Sequence, residues 1–241
     1  MPTDPSSPAN KPISETWQPD IVRLPDLNRT RSLARAFVKA LARLLVFTCT
    51  CLSVRGLENY PRSGAALLVM NHLADADAVL VLAALPGFPE ILGKIELREY
   101  ALLRWITDAI GVVWVHRGQP DRRAIAAALE AFRQGRRVLI APEGRESLTG
   151  SLEAGTDGAA FLALKGGVPV IPVTLTGSEH IYRNLKRLRR TPVTLTVGEP
   201  LVLTRQGAGP GRYAEGTRQI MEALASQLPD QYRGVYSHPG G

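Results

Sequence analysis

An α/β fold, a single domain with a mixed and largely buried β-sheet flanked by helices, is what this sequence predicts, on three observations. From residue 54 onward, short apolar runs alternate with helix-like segments. The content of 45% hydrophobic and 21% charged residues is that of an ordinary globular protein. The 241 residues suffice for one sizeable domain, and no internal repeat or low-complexity block calls for a second.

The elements follow in chain order. Residues 1–30 carry Pro, Ser, Asp and Asn without apolar periodicity and read as a mobile tail. The first apolar run begins near Leu33, too deep for a secretory signal, and no small-residue cleavage pattern follows it. In residues 31–54, Arg31, Arg35, Lys39 and Arg43 recur every fourth position, which on a helix stacks four cations along one side. Leu33, Phe37, Leu41, Leu44 and Leu45 fall largely on other faces. The uncharged run from Leu44 to Val54 is far short of the roughly 20 residues a membrane span needs. An amphipathic helix lying in the membrane plane, apolar side in the acyl boundary and cations toward anionic headgroups, fits this pattern. A surface helix packed on the domain with a solvated basic edge is the other reading.

Residues 55–235 form the predicted domain, with 236–241 as a short tail. Its strand candidates are 65–70, 112–115, 137–141, 168–175 and 193–197. Helices are expected near 77–84, 97–109, 121–134, 156–165 and 212–228, the third with Asp121 as its cap and Gly135 at its end. The stretch "GAGPG" at 207–211 reads as a flexible connection and not a phosphate loop, because no strand feeds it and no Lys-Ser/Thr follows.

The net charge of +7 suggests an anionic partner, but aromatics are only 6% and no basic stretch interleaves with stacking rings. Nucleic acid is therefore not the expected partner. Cys49 and Cys51 lie too close for a local bridge, so a reducing compartment is expected.

Chemistry concentrates where predicted strands end. "NHLADADAV" from Asn71 puts His72, Asp75 and Asp77 directly behind the apolar run "AALLVM". His72 and Asp77 are five residues apart, which leaves them about 140° apart on one helix. They can meet only if His72 sits on the turn after the strand while Asp77 opens the next helix. The aspartate would then fix one ring nitrogen and raise the basicity of the other, making a general base. A metal site would need a second histidine at ligand-like spacing, and a serine hydrolase would need a G-x-S-x-G elbow; neither is found. A helix-capping aspartate beside a satisfied histidine remains an equal reading of these residues alone. Asp75 reads as a cap or a solvated side chain.

Two more strand ends add charge. "RVLIAPEGRES" breaks at Pro142 and presents Glu143, Gly144 and Arg145; Gly144 lets the backbone approach a ligand closely. "GVVWVHRGQP" carries Arg117 just past another strand. A later run, "YRNLKRLRR", holds Arg183, Lys186, Arg187, Arg189 and Arg190, suited to lipid headgroups or donor phosphates, or simply to a solvated loop.

These blocks, in this order, resemble the glycerolipid acyltransferase family, typified by 1-acylglycerol-3-phosphate acyltransferase. The family's N-H-x-x-x-x-D motif, strand-end arginine, F-P-E-G-x-R-S motif and V-P-[IV]-[IV]-P-V strand are matched by "NHLADAD", "VWVHRG", "APEGRES" and "VPVIPVTLTG". The resemblance covers roughly residues 55–235. It implies His72 and Asp77 as the catalytic pair, and Asn71, Lys94, Arg117, Pro142, Glu143, Gly144, Arg145 and Ser147 as substrate contacts. It further implies acyl transfer from acyl-CoA or acyl carrier protein to a lysolipid hydroxyl, with no cofactor or metal. The enzyme would sit at an anionic membrane surface, the cytoplasmic face of the plasma membrane.

The chain also departs from the pattern. Ala74 stands where the family has serine, and Ala141 where it has phenylalanine. After the third-block glycine the family reads Thr-Arg-Ser; here Arg145 replaces the threonine and Glu146 the arginine, and only Ser147 matches. That arginine is implicated in holding the acceptor's phosphate, so the acceptor is left open between a lysophospholipid and a phosphate-free lysolipid. A non-catalytic lipid binder and a thioester hydrolase are the rivals on the same residues.

Overall fold

The strand Ala66–Met70 has all five side chains buried, so both of its faces must be covered. The rest of the domain is arranged around it. The computed structural model describes residues 13–15, 17–118, 121–204 and 211–237. Its helices are α1 (Arg29–Cys49), α2 (Asp77–Ala84), α3 (Ala101–Ile110), α4 (Arg122–Arg133), α5 (Gly158–Gly166), α6 (Ile181–Leu185) and α7 (Ala214–Gln227). Its strands are β1 (Thr50–Arg55), β2 (Ala66–Met70), β3 (Glu90–Lys94), β4 (Val113–Val115), β5 (Arg137–Ile140), β6 (Val170–Thr176) and β7 (Thr191–Val197).

The seven strands form one sheet in the order β1-β7-β6-β2-β5-β3-β4. All neighbours run parallel except β6 and β7, so the sheet is mixed as predicted. Central β2 is fixed by Leu67 opposite Val138 on one side and Val170 on the other. Alternate side chains of the sheet feed two cores. Leu67, Val69, Val138 and Val170 pack with Ala128, Phe132, Leu162, Ile220 and Met221 of α4, α5 and α7. Ala66, Leu68, Met70 and Ile171 pack with Ala42 and Val46 of α1 and Leu80 and Val81 of α2 on the opposite face. The result is three layers, with β2, β5, β3 and β4 ending along one common edge.

Several boundaries differ from the sequence reading, each for a tertiary reason. The helix expected over 31–54 begins at Arg29 and stops at Cys49; Thr50–Arg55 is instead an edge strand parallel to β7. β3 was not foreseen, being short and opening on the charged Glu90. The helix expected from 97 is split into a 3₁₀ segment, Ile95–Glu99, and α3. The tail expected over 1–30 is in part packed: Val22 is buried, Gln18 and Ser14 bond the turn after β4, and Arg136 donates to the carbonyl of Pro25. Residues 1–12 and most of the 207–211 connection lie outside the described residues, as do the last four of the C-terminal tail.

The orientation of α1 overturns one expectation. Its cationic side faces the protein. Arg35, 6% exposed, makes a bidentate pair with Glu90 (2.9 and 2.7 Å) and donates to the carbonyl of Ile110 (2.7 Å). Lys39 donates to the carbonyls of Leu85 (2.5 Å) and Gly87, and Arg43 to that of Ala83 (3.1 Å). These carbonyls lie at the carboxyl end of α2, where the helix dipole favours cations. Burial, aided by the charge of Arg43, lowers the pKa of Lys39 to about 8. The apolar side points outward: Leu33 is 63% and Phe37 69% exposed, with Leu41, Leu44 and Leu45 beside them. α3, packed against α1, exposes Leu102 and Trp105 in turn.

Candidate active site

The edge where β2, β5, β3 and β4 end carries the residues picked out from the sequence, as open parallel sheets place ligand contacts. His72 stands on the turn after β2, and Asp77 is the first residue of α2. The Asp77 carboxylate, wholly buried, bends back over that turn. One oxygen, Oδ2, accepts from the backbone N–H of Leu73 (2.6 Å) and of Ala74 (2.8 Å) and lies 2.9 Å from His72 Nδ1. The backbone bonds orient the carboxylate, and the carboxylate orients the imidazole, which selects the tautomer with Nδ1 protonated. The other ring nitrogen, Nε2, makes no hydrogen bond among the described residues, and the His72 side chain keeps 20% exposure. Burial alone would lower the His72 pKa. The bond to Asp77 and the charges of Asp77, Glu146 and Glu143 outweigh it, so the imidazole titrates above its ordinary range.

The third block forms the opposite wall. Gly144 has φ +76°, a conformation that favours glycine, although a Cβ there would meet nothing closer than 4.0 Å. Glycine is needed here for the turn and not for space. The turn is tied to β2 twice: the Ser147 N–H bonds the carbonyl of His72 (2.7 Å), and the His72 N–H bonds Glu143 Oε1 (3.1 Å). Glu143, 1% exposed, also accepts from the N–H of Glu153 (2.7 Å). It is a brace between two loops, where the sequence suggested a headgroup ligand.

Other expected contacts are likewise engaged within the protein. Both amide atoms of Asn71 bond the backbone of Leu175 (2.9 and 2.8 Å) and extend the pairing of β2 with β6. The Ser147 hydroxyl bonds the carbonyl of Ser151 (2.6 Å), and the Pro142 carbonyl accepts from Thr156. Arg145 turns inward to Glu153 at 2.8 Å, the two side chains 10% and 1% exposed. Arg117 lies 3.4 Å from Glu96. Lys94 lies 3.7 Å from Asp75, with both side chains open to solvent. Glu146 is exposed on the third-block turn, next to Ser147, whose N–H bonds the His72 carbonyl. Burial and the charges of Asp75 and Asp77 push its pKa up, against the pull of His72 and Lys94.

The sequence held a second pair that went unnoticed. His116 and Asp121 repeat the five-residue spacing, and Asp121 both caps α4 and lies 2.7 Å from His116 Nδ1. Yet His116 is 1% exposed, Trp17 stacks on its ring at 4.4 Å, and its Nε2 accepts the N–H of Gln18 at 3.0 Å. The same spacing and Nδ1–carboxylate contact are thus sealed in one pair and open in the other. Only His72 can reach a ligand. Glu153 and Glu96, the partners of the two arginines, were also missed, because no local signal joins them to Arg145 and Arg117.

The chain is thus an open α/β sheet with a carboxylate-held, partly exposed histidine at its carboxyl edge. The family model described as acyltransferase matches residues 51–176, just over half of the chain, so the chain belongs to the acyltransferase family. It is 29% identical over 154 residues to the chloroplastic 1-acyl-sn-glycerol-3-phosphate acyltransferase of Arabidopsis thaliana, covering 63% of this chain and 43% of that protein. It is 34% identical over 157 residues to the lyso-ornithine lipid O-acyltransferase of Pseudomonas aeruginosa, covering 64% and 58%. The chain spans about half the length of the curated relatives it matches. The crystal structure of the 1-acyl-sn-glycerophosphate acyltransferase PlsC from Thermotoga maritima has the same fold, with a TM-score of 0.62 at 22% identity over 89% of this chain and 86% of that one.

Proposed function

We propose that the protein transfers a fatty acyl group from a thioester, acyl-CoA or acyl carrier protein, to the free hydroxyl of a lysolipid. The observation that carries this reading is the His72–Asp77 contact of 2.9 Å on an imidazole that keeps 20% exposure and whose Nε2 makes no hydrogen bond among the described residues. His72 Nε2 takes the hydroxyl proton as the oxygen attacks the thioester carbonyl. Asp77 holds the ring and stabilises the imidazolium. When the C–S bond breaks, the imidazolium returns the proton to the leaving thiolate. No covalent enzyme intermediate is needed. The named relatives act on 1-acylglycerol-3-phosphate or on a lyso-ornithine lipid, and both acceptors offer a hydroxyl on a lipid with one chain missing.

The substrates reside in a membrane, and the outward apolar sides of α1 and α3 supply a docking face. No described helix is long and apolar enough to cross a membrane. Leu33, Phe37, Leu41, Leu44, Leu102 and Trp105 would enter the acyl boundary while the body stays outside. The run at 182–190 adds cations, with Leu188 95% exposed and in a positive-φ conformation (51°) at its tip. This replaces the expectation that the α1 cations meet headgroups, since those cations are bonded to the protein.

The test is His72→Ala with labelled acyl-CoA and a panel of lysolipids, products scored by mass. Turnover is expected to fall by about 10²–10⁴ with the fold intact. Wild-type transfer by that variant would remove the mechanism. Thioester loss without acylated lipid would mark a hydrolase.

A further inference from the structure

The acceptor's headgroup must lie close to the hydroxyl that His72 deprotonates, so the charges around His72 choose it; the argument rests on the acyl-transfer reading above. Three cations stand near this edge, and each has an acid. Arg145 is held by Glu153 at 2.8 Å in nearly dry surroundings, and turning it outward would strand a carboxylate that is 1% exposed. Arg117 lies 3.4 Å from Glu96 with both side chains 22% exposed, and its backbone N–H donates to Ser14. The Lys94–Asp75 contact, at 3.7 Å with side chains 37% and 78% exposed, is screened and readily opened. Of these three described cations Lys94 is the most open, its side chain 37% exposed against 22% for Arg117 and 10% for Arg145.

Against it stands Glu146. The neighbouring Ser147 N–H is bonded to the carbonyl of His72 at 2.7 Å, so the turn sets the backbone of Glu146 beside the His72 turn. Glu146 makes no salt bridge among the described residues, and its charge acts on His72, Asp77, Asp75 and Lys94 together. Asp75 adds a second solvent-facing carboxylate beside Lys94.

We propose that Glu146 is a specificity residue that selects an acceptor whose headgroup carries an ammonium group, with Lys94 meeting an accompanying carboxylate or phosphodiester. The substrate class is then a zwitterionic lysolipid and not one ending in a phosphate monoester. A monoester carries about −1.5 to −2 charges at neutral pH and would face Glu146 and Asp75, with Lys94 the most open cation to offset them. An ammonium reverses the sign of that encounter, and a net-neutral headgroup lets Glu146 and Lys94 each keep a partner. Like charges placed together discriminate more strongly than attraction alone.

Three acceptors test this in mixed micelles of an uncharged detergent, with an acyl-CoA as donor. They are a monoacylglycerol phosphate, a lysophosphatidylethanolamine and an N-(hydroxyacyl)ornithine. The wild-type kcat/KM for at least one ammonium acceptor should exceed that for the phosphate by about tenfold or more. Glu146→Gln should shrink that ratio, and Glu146→Arg should invert it while thermal stability stays near wild type, since the side chain is exposed. A wild-type preference for the phosphate acceptor, or a ratio unmoved by Glu146→Arg, overturns the proposal. Transfer without discrimination sinks only the selectivity. Transfer to none of the three sinks the acyl-transfer reading and the selectivity with it.

Discussion

Replacing Asp77 by asparagine keeps the side chain's shape and removes its charge, so it isolates what the carboxylate contributes. Oδ2 serves three partners, His72 Nδ1 and the N–H groups of Leu73 and Ala74, while Oδ1 is buried without a hydrogen bond. The amide oxygen must stay toward the two backbone donors, which places the new NH₂ at the position of Oδ1. A buried donor without a partner costs about 1–3 kcal/mol. For a chain of 241 residues that amounts to roughly 2–12 °C in melting temperature. The catalytic loss should be larger. Without the negative charge the imidazolium loses its main stabiliser. A fall of about 10²–10⁴ in kcat is expected, with KM little changed. The pH profile supplies the decisive readout. His72 acts as a base only when neutral, so activity should rise with pH through a midpoint above the ordinary 6.5, because Asp77, Glu146 and Glu143 favour the imidazolium. In Asp77→Asn the residual activity should show that midpoint displaced to lower pH. A variant with an unmoved acid limb, or with wild-type turnover, would refute the account of this pair.

Four further outcomes are expected. Glu146→Gln should move the same acid limb to lower pH, by less than Asp77→Asn does, since it removes one raising charge and leaves the Asp77 bond intact; titrating kcat/KM in both variants checks the order. Phe37→Ser with Leu41→Ser should lower partitioning onto lipid vesicles by at least about tenfold while leaving the melting temperature nearly unchanged, because both side chains are exposed in the protein. Glu90→Ala should cost about 3–5 kcal/mol in chemical denaturation, as it leaves Arg35 and Arg136 facing an empty buried site; a small loss would mean that α1 is not pinned as described. His116→Gln should affect stability and leave the pH midpoint of turnover in place, since His116 is sealed by Trp17 and Gln18.

Much of the architecture was legible because it rests on local rules. The strands expected at 65–70, 137–141 and 193–197 and the helices expected at 77–84 and 121–134 lie within a few residues of where they form. Apolar runs of that length, ended by glycine, proline or a capping acid, have few other stable forms. β1 was hidden because Thr50–Arg55 continues the apolar composition of α1, and pairing with β7, about 140 residues away in the chain, makes it a strand. The contacts of Arg145, Arg117 and Asn71 were hidden for the same reason. Their partners Glu153, Glu96 and Leu175 share no spacing rule with them.

By itself the sequence determined the alternating α/β order and the one geometry in which His72 and Asp77 could meet, a turn between a strand and a helix start. It also determined that α1 has one charged and one apolar side. Only the tertiary structure decided which side faces out. Burying Arg35 against Glu90 and bonding Lys39 and the more exposed Arg43 to carbonyls at the end of α2 turns the cationic side toward the protein and leaves the apolar side to another medium. It likewise decided which of the two His-Asp pairs is open, because burial depends on what the rest of the chain lays over each of them.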